Sequence, residues 1–228
     1  MKIYVVGSSK NKFLQLDEIR QTFLVDKELH DDNINSQNNM FCETVALYYM
    51  WKHENSDIVG LEHYRRNFFN IFTNKLLSKN AIEKYLSKYD VIMSYKNRDP
   101  LRKDLKDDII SHITEDGYNN VMCVLKSICS ENEYKYYEFY FSRTDKHGYN
   151  LFITKNNIMK EYAEFFFKVI DNLTVKMPLR SYGYISEFLL NGWMEYHNYK
   201  IKPLPYLLTV NGRCQIGDLG WSYADNYE

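Results

Sequence analysis

Cysteine is scarce in this chain of 228 residues, and its four cysteines do not form a metal-binding pattern. No two of them have the Cys-x-x-Cys spacing, so a structural zinc site is not expected. The patterns His-x-x-His and Glu-x-x-His are also absent, as is Gly-x-Ser-x-Gly. These absences argue against zinc hydrolases and serine hydrolases.

Excess charge and long apolar runs are missing as well. The formal net charge is −1, which argues against general nucleic-acid binding because that activity needs a basic field. No apolar run approaches the roughly 20 residues of a membrane span. Met1 and Lys2 lead directly into a predicted strand without a signal peptide. A cytoplasmic protein is therefore expected, with contact to the inner face of the membrane left open.

The length and the order of predicted elements indicate one α/β domain covering residues 1–228, with 211–228 as a tail of uncertain structure. Apolar runs predict strands over 2–6, 57–61, 90–94 and 149–154, and extended chain over 201–210, where Pro203 and Pro205 favour a sheet edge. Helical spacing predicts helices from Asn38 or Asn39 through Trp51, and over 80–88, 119–129, 131–141, 156–173 and 182–196. Residues 12–38 and 95–116 look irregular. Alternating strands and helices predict a mostly parallel sheet with helices on both faces.

The segment His63-Tyr64-Arg65-Arg66 follows a buried strand directly. Ligands of open α/β sheets bind beyond the carboxyl ends of strands, and arginine matches phosphate geometry. The segment therefore predicts an anion site, although an Arg pair bridging surface carboxylates is an equal alternative. If the segment is extended, Arg65 shares a side with His63 and Arg66 faces the other way. No Asp-x-Asp follows the strand, and Glu62 or His63 as a divalent-ion ligand is the minor alternative.

Two acidic positions are further candidates. Asp31 and Asp32 form a carboxylate pair that could bind ligand or simply occupy a solvated turn. Glu187 lies near the start of an amphipathic helix, where a carboxylate is favoured by the helix dipole. It could act as a general base toward a hydroxyl, or only stabilise the first turn.

Several co-linear motifs carry a family resemblance. They are Asn33-Ile-Asn-Ser-x-Asn, Cys42-Glu43-Thr-x-Ala-Leu-Tyr-x-x-Trp51-Lys52, Asp57-Ile-Val-Gly-Leu-x-His63-Tyr-Arg-Arg66, Asp90-Val-Ile, His112, Tyr149-Asn150-x-Phe-Ile and Arg180-x-x-Gly-x-x-Ser-Glu187-x-Leu-Leu-Asn191-x-Trp193. Over about residues 2–208 the chain resembles a bacterial family, DUF4422, from capsule and lipopolysaccharide gene clusters, whose members are generally described as glycosyltransferases. Where the family often has Thr-His-Lys after the first strand, this chain has Ser8-Ser9-Lys10, so any role of that His is in doubt.

The resemblance implies a nucleotide-sugar-dependent transferase of the GT-A type, a single Rossmann-like domain. It would transfer a sugar, with a UDP-sugar as the preferred donor, to a hydroxyl of a lipid-linked or oligosaccharide acceptor. His63, Arg65 and Arg66 would hold the diphosphate. The other implied roles are nucleotide or donor-sugar positioning for Lys10 and Asp31 or Asp32, general base for Glu187, and acceptor contacts for Asn150, Arg180 and Tyr182.

No metal or other cofactor is assigned, with Mn²⁺ or Mg²⁺ as the open alternative. Two rival functions remain. One is a nucleotidyl or phospho-sugar transferase that uses the same anion site. The other is a non-catalytic sugar-nucleotide-binding module.

Overall fold

A computed structural model describes residues 1–14, 16–27, 29, 31–210 and 213–217 of the chain. Its strands, in chain order, are β1 (Lys2–Gly7), β2 (Arg20–Leu24), β3 (Ile58–His63), β4 (Arg66–Asn70), β5 (Lys75–Leu76), β6 (Val91–Ser94), β7 (Lys96–Asn97), β8 (Lys146–His147), β9 (Phe152–Lys155), β10 (Ile201–Leu204), β11 (Tyr206–Val210) and β12 (Arg213–Gly217). The helices are α1 (Asn38–Phe41), α2 (Thr44–His53), α3 (Lys79–Leu86), α4 (Leu105–Ile113), α5 (Glu115–Ile128), α6 (Glu131–Phe141), α7 (Asn156–Asp171) and α8 (Ser181–Tyr196).

The main sheet is mixed, so the prediction of a mostly parallel Rossmann-type sheet is wrong. Its principal path of seven strands is β10-β6-β9-β3-β4-β11-β12. Five of the six pairings along this path are antiparallel, and only β10 with β6 is parallel. The strands β1 and β2 extend the sheet from β3 by parallel pairing. Apolar runs marked the strands but carry no information on direction, which the hydrogen-bond partners decide.

Alternating side chains of the central strands pack into two hydrophobic cores on opposite faces of the sheet. In β9, Phe152 packs on the face covered by α2 and α4–α8, whereas Ile153 packs on the face covered by α3. In β6, Met93 and Ile92 divide in the same way. This period of two is the pattern expected of a strand covered on both sides. Helices therefore occupy both faces, but very unequally among the residues described.

Several element boundaries differ from those predicted. The helix predicted from Asn38 is divided at Cys42, whose backbone has a φ of 52°, into α1 and α2. The segment 12–38 contains strand β2, and 95–116 contains helix α4, which begins after Asp104. The Asp104 carboxylate accepts a hydrogen bond from the Asp107 N–H at 2.8 Å. This side-chain cap stabilises the start of a helix in a segment rich in charged residues.

The edge prediction holds for β10, which contains Pro203 and pairs only with β6 among the described strands. It is wrong for 206–210, because β11 lies between β4 and β12. Residues 213–217 of the uncertain tail form β12 against β11. Residues 211–212 and 218–228 lie outside the described part of the chain. Within the described part, no helix is both long and apolar enough to cross a bilayer.

A fully buried ion pair links β2 to β3 across the intervening strand β1. Arg20 on β2 donates from Nε to Oε2 of Glu62 on β3 at 2.9 Å, and both side chains have no exposed surface. The same carboxylate accepts from Asn67 Nδ2 at 2.9 Å and from the Phe68 N–H at 3.1 Å. Glu62 is therefore committed to the protein interior, which argues against its minor alternative role as a metal ligand.

Candidate active site

The site begins at a tight β-hairpin between β3 and β4. His63 pairs with Arg66 across the hairpin, and Tyr64 and Arg65 form the two-residue turn. Residues paired across an antiparallel ladder point to the same face, so Arg66 lies on the side of His63. The prediction that Arg66 faces away from His63 is wrong, because it assumed an extended chain where the backbone turns.

His63 is held as a neutral imidazole. Its Nε2 lies 2.7 Å from the carbonyl oxygen of Tyr149 and 3.6 Å from Oε1 of Glu43. Burial lowers the pKa of His63, and this outweighs the opposing effect of the Glu43 carboxylate. Because a carbonyl oxygen only accepts, Nε2 carries the proton and Nδ1 keeps its lone pair.

Arg66 and Arg65 have no ion-pair partner within the described structure. The Arg66 guanidinium lies 4.1 Å from the ring centre of Tyr149, and its buried Nε has no hydrogen-bond partner. Arg65 lies 5.9 Å from the ring centre of Tyr64, within the turn. The alternative in which the pair bridges surface carboxylates is therefore not observed. Both cations keep hydrogen-bonding capacity for an anionic ligand.

Glu187 belongs to a buried charge cluster rather than to the first turn of a helix. It is the seventh residue of α8, and Lys146 Nζ on β8 donates to its Oε1 at 3.0 Å. Lys146 Nζ also lies 3.9 Å from Oδ2 of Asp108 on α4. All three side chains are between 10% and 14% exposed. We refer to Lys146, Glu187 and Asp108 as the charge cluster.

The charge cluster keeps Glu187 ionised. Burial alone would raise the pKa of its carboxyl, but Lys146, a hydrogen bond from the backbone of Tyr149 and the charge of Arg66 together lower it. Burial would lower the pKa of Lys146, and Glu187 and Asp108 reverse this. Glu187 thus lies near two cations, Lys146 and Arg66, close to the end of β3.

Asn150 connects the elements around this point. Its backbone has a φ of 49°, and its Nδ2 donates to Oε1 of Glu43 at 2.8 Å and to the carbonyl of Gly183 at 3.0 Å. The close approach of α8 favours glycine at 183, because a Cβ there would lie 3.0 Å from the Cβ of Cys42. Asn150 is 2% exposed, and its Oδ1 is buried without a hydrogen-bond partner.

Arg180 and Tyr182 lie at the entrance to α8. Arg180 is exposed, has a φ of 70°, and its guanidinium lies 5.5 Å from the ring centre of Tyr184. Tyr184 also stacks on the His112 ring, with 3.9 Å between ring centres. Tyr182 is half-buried and packs edge-on against Phe41, 4.8 Å between ring centres. Arg180 is therefore the more accessible of the two.

The other predicted donor residues lie in separate places. Lys10 is exposed in the turn after β1, which borders the hairpin because a Cβ on Gly7 would lie 2.9 Å from the Cβ of Tyr64. Asp32 instead accepts a hydrogen bond from Tyr48 on α2 at 3.1 Å. Burial is the largest cause of the raised pKa of Tyr49, and Asp31 raises that pKa further. The hydrogen bonds found for Asp31 and Asp32 do not involve the hairpin or the charge cluster.

Comparison with known proteins identifies the family. Residues 2–198 match the model of a family described as a domain of unknown function, DUF4422. The chain belongs to this family. No curated protein has significant sequence similarity to it. Among solved structures, the apo structure of WbbM, a bifunctional glycosyltransferase, is similar in fold.

The similarity to WbbM covers 92% of this chain at a TM-score of 0.76 and 20% sequence identity. At that identity the likeness establishes the fold. This DUF4422 chain spans 45% of the length of the WbbM chain, so it corresponds to about half of that protein.

Three important residues of this DUF4422 site were not found from the sequence. Lys146 and Asp108 lie in segments without a strong apolar pattern, and only the fold brings them to Glu187. Glu43 belongs to the motif that begins at Cys42, but its contacts with His63 and Asn150 depend on the interruption of the helix at Cys42. No three His, Cys, Asp or Glu side chains in the described part form a group suited to a metal ion. The expectation about metal therefore stays a prediction.

Proposed function

We propose that this protein is a glycosyltransferase that moves a sugar from a nucleoside diphosphate donor to a hydroxyl of a lipid-linked or oligosaccharide acceptor. The observation that carries the proposal is the convergence of unpaired Arg66 with an ionised Glu187 at the end of β3. One group suits a diphosphate, and the other suits a reacting hydroxyl. The fold shared with the bifunctional glycosyltransferase WbbM supports the same reading.

On the donor side, Arg66 and Arg65 would bind the diphosphate, preferably of a UDP-sugar. Neither guanidinium is neutralised by a described carboxylate, so each can form paired hydrogen bonds to phosphate oxygens. The imidazole of His63 faces the same side as Arg66, and its free Nδ1 can only accept, so it would accept a hydrogen bond from a hydroxyl of the nucleotide sugar rather than bind the diphosphate. Lys10 would add a cation from the neighbouring turn.

On the acceptor side, Glu187 would take the proton of the attacking hydroxyl. The hydroxyl oxygen forms a bond to the anomeric carbon while the bond from that carbon to the diphosphate breaks. The nucleoside diphosphate leaves with the bonding electrons, and the arginines stabilise its charge. This single displacement inverts the anomeric configuration. Arg180 and Tyr182 would border the acceptor, whereas buried Asn150 would position Glu43 and α8.

Product analysis tests the proposal against its two rivals. The purified protein is screened for binding to nucleotide sugars by thermal shift, and each ligand found is then incubated with acceptor glycolipids or oligosaccharides. Free nucleoside diphosphate together with a glycosylated acceptor supports a glycosyltransferase. Transfer of a sugar phosphate or a nucleotide supports the nucleotidyl or phospho-sugar transferase reading. Tight binding without turnover across the acceptor panel supports the non-catalytic module.

A further inference from the structure

The turn between β4 and β5 carries two adjacent apolar side chains into solvent. Phe72 is 91% exposed and Ile71 is 43% exposed. The preceding phenylalanines on β4, Phe68 and Phe69, are buried. We call residues 71–75 the hairpin tip. Exposure of two consecutive large apolar residues is costly in water, so it suggests a surface that is covered in use.

The hairpin tip is an ordered turn. Phe69 pairs with Leu76, and Asn70 pairs with Lys75, below the turn. The Asn70 Oδ1 accepts hydrogen bonds from the N–H groups of Phe72 at 2.9 Å and of Thr73 at 3.3 Å. These bonds hold the backbone so that Phe72 projects outward rather than folding back onto the core.

The segment that contains the tip is strongly positive. Residues 63–82 include Arg65, Arg66, Lys75 and Lys79 but no Asp or Glu. Because the whole chain has a formal charge of −1, the remainder carries −5. Arg65 and Arg66 lie at the other end of β4, whereas Lys75 and Lys79 adjoin the tip in sequence and are both exposed. Such a segment is attracted to anionic lipid headgroups.

We propose that the hairpin tip inserts into the surface of an anionic lipid bilayer. Phe72 and Ile71 would lie below the headgroups, and Lys75 would contact lipid phosphates. A stable protein interface buries about 800 Å² on each partner, far more than two side chains provide. A bilayer needs no complementary surface, so a small apolar tip with adjacent cations suits it better. This contact is independent of the proposed transfer reaction.

Vesicle binding tests this inference without nucleotide or acceptor. Co-sedimentation is measured with phosphatidylglycerol-rich vesicles and with phosphatidylcholine vesicles. The wild-type protein should prefer the anionic vesicles. Phe72→Ser should weaken binding about tenfold through the loss of one buried aromatic side chain. Lys75→Gln should weaken it about fivefold. Phe139→Ser removes an aromatic side chain that is 59% exposed on α6 and should leave binding unchanged.

Depth is tested with Phe72→Trp, whose fluorescence should be quenched by lipids brominated on the acyl chains. Absence of wild-type binding to anionic vesicles would overturn the inference, as would equal binding of the Phe72→Ser variant. A wild-type dimer that Phe72→Ser converts to a monomer, without vesicle binding, would instead assign the tip to a second copy of the chain. Loss of transfer activity alone would not bear on the result.

Discussion

Replacing Lys146 by methionine tests how much the charge cluster contributes to the stability of the fold. Methionine keeps much of the side-chain length and removes the cation that lies 3.0 Å from Glu187 and 3.9 Å from Asp108. The gross attraction of the closer pair is about 5 kcal/mol at an effective dielectric constant of about 20. Desolvation offsets much of this, but removing one partner leaves an uncompensated buried charge. We therefore expect a loss of about 3–5 kcal/mol in the free energy of unfolding.

The loss should depend on pH in a defined direction. In the wild type, the lowered pKa of Glu187 contributes stability above the carboxyl's unfolded pKa, and this is lost as pH falls through the folded pKa. Without Lys146, only the Tyr149 backbone hydrogen bond and the charge of Arg66 still oppose burial, so the pKa of Glu187 rises and its ionised form contributes less to stability. The stability difference between wild type and Lys146→Met should therefore be smallest near pH 4 and grow toward pH 8.

Urea unfolding over this pH range measures the effect. Lys135→Met is the matched control, because Lys135 pairs with Glu131 at 2.6 Å but both side chains are at least 64% exposed. That exposed pair should contribute less than about 1 kcal/mol. Glu187→Gln added to Lys146→Met should recover part of the loss. Equal destabilisation by the two lysine variants, or a difference that does not grow with pH, would refute the charge-cluster argument.

Three predictions concern the proposed reaction. Arg66→Met should weaken UDP binding by about 1.5–3 kcal/mol in calorimetry, and Arg65→Met shows how much Arg65 contributes to that binding. Unchanged affinity in both single variants and in the double variant would show that the two arginines form no anion site. Glu187→Gln should lower turnover about 10²–10⁴-fold while UDP affinity changes little, and a folded variant with wild-type turnover would favour a retaining mechanism. Donor binding should survive EDTA; loss of most affinity, restored by Mn²⁺ or Mg²⁺, would show a metal site.

The sequence located strands and helices better than it located their partners. Runs such as Val91–Ser94 and the spacing within Asn156–Asp171 mark elements because burial imposes a local period. Sheet direction is a long-range property. Strand β9 lies between β3 and β6 and runs against both, and nothing in Phe152–Lys155 expresses that choice. The parallel prediction failed for this reason.

The candidate site was likewise predictable where it is local. The segment from His63 to Arg66 adjoins a buried strand, and the charge of Arg66 contributes to lowering the pKa of Glu187. The side of the sheet on which Arg66 lies relative to His63 was not predictable, because a two-residue turn interrupts the alternation of an extended chain. By residue type, Asp31 and Asp32 resembled a ligand-binding pair of carboxylates, but their side chains interact with α2.

The ion pair between Arg20 and Glu62 links the hairpin to a strand far away in sequence. Both carboxylate oxygens of Glu62 accept hydrogen bonds from Arg20, and they also accept from Asn67 and Phe68, the second and third residues of β4. Arg66 stands immediately before those residues, so its placement depends on a contact made behind the sheet. Positions 20 and 62 should therefore vary together among relatives, because a lineage that lost only the guanidinium would keep a buried carboxylate without its counter-charge.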